Sequence, residues 1–193
     1  SNISILNFHY AWPEAVDLNY GWNLPTNFDE SGFHGQADST YLEQAWAFIL
    51  AGGAIFNNLD YSFYVGHEDG AGVNDAPGGG SRKLRKQLKF LREFMESFDF
   101  IKMQPHFNTV RHAPGLRHRV LAEPGQQYAI CLMGQSQGLL QLNLPMGSYA
   151  FKWIDPQTGM TLSEGELVVS DNLTSLEFDH THYLLALAIQ RLD

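Results

Sequence analysis

The hydrophobic positions of the first hundred residues gather in three short strand-like runs, 3–9, 26–30 and 54–60, each ending in polar residues. Runs of this length read as strands. Helical patterns separate them. Pro13 suits a first helical turn, and 14–20 makes a brief helix closed by Gly21. After the second run, Thr40 and Glu43 have the spacing of a capping box, and Leu42, Ala45, Trp46 and Ile49 form an apolar stripe ended by Gly52-Gly53. Strands alternating with helices predict a parallel sheet.

Residues 66–80 are a loop rich in Gly, Asp and Asn, and Ser81 is placed to cap a helix over 82–98, where Leu84, Leu88, Leu91, Phe94 and Phe98 keep a helical period. Arg82, Lys83, Arg85 and Lys86 crowd the positive end of that helix, against the macrodipole, which implies partners in the acidic segment before it. Beyond Pro105 the period falls to two. Seven short runs, 119–123, 127–133, 139–144, 149–154, 166–170, 175–178 and 183–189, are separated by turns such as Pro124-Gly125 and Asp155-Pro-Gln-Thr-Gly159. The expected fold class is α/β plus all-β. Residues 1–104 read as the C-terminal part, about three βα units, of a (β/α)8 barrel, and residues 105–193 as a small antiparallel β-sandwich. Three strands cannot close a barrel of eight.

Charge narrows the partners. The net value is −9, and no Lys or Arg precedes Arg82, while ten of the twelve cations fall within 82–119. An acidic, aromatic-rich first half argues against nucleic acid and suits a neutral polyhydroxylated ligand or a cation. No apolar run reaches the length of a membrane-spanning helix. The single Cys131 excludes an internal disulfide and lies in an apolar run where a packed thiol is expected.

In barrels of this kind the reactive groups gather at the carboxyl ends of the strands. That rule selects His9 and Tyr10, then Asp29 and Glu30, then Asp60 and Tyr61, all facing one rim. Strand alternation turns Asp29 away from Glu30, toward a structural role. The oxygen-rich loop containing His67, Glu68, Asp69, Asn74 and Asp75 does not match an EF-hand and reads as a solvated lid. His180 and His182 lack a third ligand, so neither a metal nor any other cofactor is expected. Gly78-Gly-Gly-Ser81 opening a basic helix favours an anion, although the Walker pattern is not met, and a flexible linker into a capped helix is the commoner meaning.

Phe8-His-Tyr-Ala-Trp-Pro13 resembles the sixth strand of cellulase-type retaining glycoside hydrolases, and Asp29-Glu-Ser-Gly32 resembles their seventh-strand motif. Residues 56–63 and 82–98 then stand for the eighth strand and last helix, and the trailing sandwich resembles the domain, named for collagen binding, that follows some of these barrels. The resemblance implies that Glu30 is the nucleophile and Tyr10 its orienting donor. It further implies that His9, Trp12, Trp22, Asp60 and Tyr61 contact a carbohydrate substrate. The family's acid/base Glu, at the end of a fourth strand, has no counterpart in the chain, which implies little or no hydrolysis by this piece alone. Asn57, Asn58 and Asp60 occupy the stretch where many members carry a Trp, so the sugar site is more polar. An open sheet edge also implies pairing between copies. Two other functions remain open at this point: a non-catalytic carbohydrate- or protein-binding unit, and a barrel enzyme for phosphorylated metabolites using the start of the basic helix.

Overall fold

The structure, a computed structural model, describes residues 2–180 and 183–192. His182 lies outside them. The chain divides into two compact units, Ser1–Leu91 and Arg92–Asp193, in a mixed α/β fold of mostly strands whose sheets do not close into a barrel. Among the described residues no helix is long and apolar enough to cross a membrane.

In the first unit, β1 (Leu6–His9), β2 (Thr26–Ser31) and β3 (Ile55–Asn58) form a parallel sheet in that order. α1 (Ala15–Asn19) and a 3₁₀ turn (Tyr20–Trp22) join β1 to β2, and α2 (Asp38–Ile49) joins β2 to β3. Phe8, Phe28 and Phe56 fall side by side across the sheet. Phe28 is fully buried against Val16, Phe48 and Ala51, with the rings of Phe48 and Phe56 at 5.6 and 5.5 Å. Burying such a ring is worth roughly 2–3 kcal/mol. The opposite face is polar: Asn27 donates to Asn7, Asn7 donates to Asp29, and Asn57 Nδ2 donates to the Asp29 carbonyl at 2.8 Å.

Both helix boundaries carry lessons. The expected Thr40–Glu43 capping box does not form. α2 begins three residues earlier, with Ala37 at its N-cap and no side-chain cap. A tertiary contact reaches the first turn, where Ser81 Oγ donates to the Asp38 carboxylate at 2.5 Å. At the other end Gly52 takes a φ of 95°, and the N–H groups of Gly52 and Gly53 return to the carbonyls of Ile49 and Phe48, both at 3.0 Å. α3 (Arg82–Glu96) starts as expected, with Ser81 Oγ accepting from the Leu84 N–H at 2.9 Å. It stops two residues sooner than the apolar period implies.

The cations at the start of α3 do find acidic partners. Arg82 pairs with Asp69, and Arg85 with Asp60 at 2.5 Å. Arg85 also donates to Ser62 Oγ (2.9 Å) and the Gly70 carbonyl (2.6 Å), with its guanidinium 4.7 Å from the centre of the Phe63 ring. Tyr64 bonds the Val73 carbonyl, Asn74 the Tyr61 carbonyl, and Gln36 the carbonyls of Asn74 and Ala76. The loop after β3 is therefore exposed along much of its length, as its composition implies, yet cross-tied to the unit.

In the second unit nine strands among the described residues build two antiparallel sheets. β4 (Gln104–Pro105), β6 (Arg117–Glu123), β7 (Gln127–Met133), β9 (Gly147–Ile154), β10 (Thr161–Val169) and β12 (Leu184–Arg191) pair in the order β10-β9-β12-β7-β6-β4. β5 (Val110–His112), β8 (Ser136–Asn143) and β11 (Leu173–His180) pair as β11-β8-β5. The two sheets share one core, in which Ile130, Leu132 and Leu187 from the larger meet Leu140, Leu142 and Phe178 from the smaller. Every residue of β7 is buried, Cys131 included. The segment 102–118, which has no strong apolar pattern, nevertheless contributes β4 and β5. Asp155 makes the expected turn between β9 and β10, accepting from the Gln157 N–H and the Thr158 hydroxyl, both at 2.8 Å.

Candidate functional site

The carboxyl ends of β1 and β2 bring together the residues the strand-end rule selects. Tyr10 Oη donates to Glu30 Oε1 at 2.7 Å, and the Tyr10 N–H donates to the Glu30 carbonyl at 3.2 Å. His9 Nε2 lies 3.2 Å from Glu30 Oε2, so each carboxylate oxygen of Glu30 faces its own donor group. His9 Nδ1 lies 3.3 Å from Asp29 Oδ1. The imidazole thus sits between two carboxylates, and only the doubly protonated ring donates to both.

Asp29 accepts the structural hydrogen bond expected of it, from Asn7, and its other oxygen also approaches His9. Alternation puts it on the face opposite Glu30, yet the register shifts between Phe8 and His9 on β1 and between Phe28 and Ser31 on β2. The irregularity lets consecutive acids approach one imidazole.

The phenol of Tyr10 is pushed up to about 12 from its ordinary 10.0, first by its hydrogen bond to Glu30, then by desolvation and by the Glu30 charge. A raised folded-state value means that this bond stabilises the fold fully below about pH 10 and is lost as pH rises through about 12. We expect alkaline titration of tyrosinate absorbance to show two phenols ionising late, Tyr10 and Tyr128, the second raised by burial. Tyr10→Phe removes one of them, and Glu30→Gln returns that one toward the ordinary value. An unchanged late fraction in Tyr10→Phe assigns the shift elsewhere.

The other selected residues divide. The Tyr61 ring lies 6.2 Å from that of Phe33, which in turn lies 5.2 Å from that of Tyr10, a continuous aromatic chain leading to the carboxylate. Trp12 is 61 % exposed and tilts against the His34 ring at 4.8 Å. Trp22 lies on the 3₁₀ turn after α1, and no hydrogen bond or ring contact among the described residues joins it to Tyr10 or Glu30. Asp60 is committed to the protein: Oδ1 accepts from the Ser62 N–H and hydroxyl, and Oδ2 from Arg85.

Phe33 and His34 escape the strand-end rule because they follow the strand. The sequence does carry one signal, a phenylalanine between glycines 32 and 35 where turn chemistry calls for small or polar residues. A cavity of about 350 Å³ opens between the loop after β3 and the start of α3, with Tyr61, Asn74, Gly79, Ser81 and Lys83 in its wall. Ser81 and Arg82 there are already engaged, by Asp38 and Asp69. Among the described residues no group of His, Cys, Asp and Glu is arranged to hold a metal ion.

No family model matches the chain, and no curated protein matches it in sequence. Solved structures do resemble it. A protein described as a glycoside hydrolase shares 13 % identity at a TM-score of 0.63, covering 88 % of this chain and 43 % of its own. A glycoside hydrolase family 5 protein from Bacteroides vulgatus shares 16 % at 0.60, covering 87 % and 42 %. A family 30 endoxylanase from Clostridium papyrosolvens shares 9 % at 0.58, covering 98 % and 49 %. The chain therefore spans less than half the length of each of these proteins and has the fold of that portion of glycoside-hydrolase structures.

Proposed function

We propose that this chain is the closing portion of a glycoside-hydrolase-like (β/α)8 protein, its last three βα units followed by a β-sandwich accessory domain, acting on O-glycosidic bonds of a glycoside or polysaccharide. The observation that carries the reading is the Tyr10–Glu30 hydrogen bond of 2.7 Å at the ends of neighbouring parallel strands. Glu30 Oε2 attacks the anomeric carbon as the glycosidic C–O bond breaks. Water then hydrolyses the glycosyl ester, releasing the sugar with retained configuration. Tyr10 donates to Glu30 Oε1 and fixes the orientation of the carboxylate, and His9 faces the other oxygen. The acid that protonates the leaving oxygen comes from outside residues 1–193. The outer edges of β1 and β3, which have no strand partner among the described residues, are where completing strands or a second copy pair. Polar Asn57 in place of an aromatic side chain gives the inner face hydrogen-bonding character suited to sugar hydroxyls.

The test is to express the chain joined to the upstream segment of its own parent and assay aryl glycosides. Glu30→Gln is expected to lower kcat by about 10³-fold or more, and Tyr10→Phe by a smaller factor with a shifted pH profile. Undiminished turnover in Glu30→Gln overturns the assignment.

A further inference from the structure

We propose that Phe33 is the platform against which a neutral pyranose ring packs when its anomeric carbon faces Glu30, which makes it the residue that sets sugar specificity. The inference rests on the glycoside-hydrolase reading of the Tyr10–Glu30 site. Phe33 has a φ of 62°, in the left-handed region where a bulky residue is strained, and Tyr10 shares that region at 51°. A strained aromatic residue is ordinarily offset by burial of its ring. Phe33 is 52 % exposed, so core packing does not explain its place.

The surrounding structure holds the strain. Tyr41, fully buried in α2, accepts a hydrogen bond from the His34 N–H at 3.2 Å and donates one to the Gly35 carbonyl at 2.7 Å. The Gly35 N–H donates to the Pro77 carbonyl at 3.1 Å. The turn is thus clamped from below and from the loop after β3. What the clamp displays is a half-exposed ring standing at 64° to Tyr10, the donor to Glu30, and at 71° to Tyr61. An exposed aromatic ring beside hydrogen-bonding groups is the chemistry that recognises a sugar, whose C–H face is apolar and whose rim is hydroxylated. Asp29 and Glu30, both bound to His9, put two carboxylates at the same mouth and repel a uronate, which leaves the neutral pyranoses.

The test titrates the full chain calorimetrically with a piperidine iminosugar of pyranose shape, with methylammonium as the cation lacking a ring face. Phe33→Gly is expected to weaken iminosugar binding about tenfold, while its melting temperature stays the same or rises because glycine relieves the left-handed backbone. Phe33→Tyr restores binding, and methylammonium is indifferent to all three residues. Wild-type affinity in Phe33→Gly overturns the platform. Weakening by Phe33→Gly with none by Glu30→Gln keeps the platform and overturns the nucleophile. No binding by the wild-type chain at millimolar iminosugar overturns both.

Discussion

Arg85→Ala lowers the stability of the Ser1–Leu91 unit by about 2–3 kcal/mol, whereas Arg82→Ala, one turn away, costs less than about 0.5 kcal/mol. Both arginines face a carboxylate from the loop after β3. Their surroundings differ. The side chains of Arg82 and Asp69 are 65 % and 58 % exposed, so water and salt screen the pair. Those of Arg85 and Asp60 are 32 % and 17 % exposed, and Arg85 also donates to Ser62 and Gly70. Removing it strands the Asp60 carboxylate and frees the far end of the loop. Urea unfolding followed by tryptophan emission measures the loss, since Trp46 in α2 is fully buried. Limited proteolysis should open first within residues 61–80. Equal, small effects for the two arginines would show that the half-buried pair does not hold the loop. Asp60→Asn combined with Arg85→Ala should cost less than the sum of the single changes, because the stranded charge is gone.

The parallel strands were legible because their apolar face is made of phenylalanines at matching phase and their other face of asparagine and aspartate. The Tyr10–Glu30 pair was legible for a related reason, since neighbouring parallel strands bring their carboxyl ends to one rim. Asp29 was not. Its placement depends on a register shift, and alternation arithmetic assumes that none occurs. Phe33 was invisible to a rule that stops at the strand, because a left-handed backbone at a large residue is imposed by Tyr41 from another element. The capping box at Thr40 failed because the helix already begins before it, with Ala37 at the N-cap.

In the second unit the turns and most of the strands were readable, and the order of the strands was not. β12 lies between β9 and β7, so the last strand of the chain is central in the larger sheet. Alternation tells which residues face the core but carries no record of which strand lies beside which. That choice is made by the packing of large side chains such as Tyr149 and Trp153, both almost wholly buried.

Gly80→Ala is expected to destabilise the first unit by about 3 kcal/mol or more, against about 1 kcal/mol for Gly35→Ala. Both glycines have positive φ, 131° and 83°, so backbone strain is common to both substitutions. What separates them is space. A Cβ at Gly35 meets nothing within 4 Å, while one at Gly80 collides with the Asp60 carboxylate and lies 2.9 Å from its Cα. The carboxylate cannot swing aside, because Ser62 and Arg85 hold both of its oxygens. Gly78 and Gly79 are equally confined, a Cβ at the first meeting the Tyr61 ring and at the second the Tyr41 ring, each with a carbon at 2.7 Å. The run of three glycines, expected to be a flexible linker, is therefore three close approaches in sequence. It packs the chain onto Tyr61 at the site mouth, onto Tyr41 that clamps the Phe33 turn, and onto Asp60 that anchors the loop. Thermal unfolding of the two alanine variants separates these meanings: a linker tolerates both alike, whereas a packed strap loses far more at Gly80.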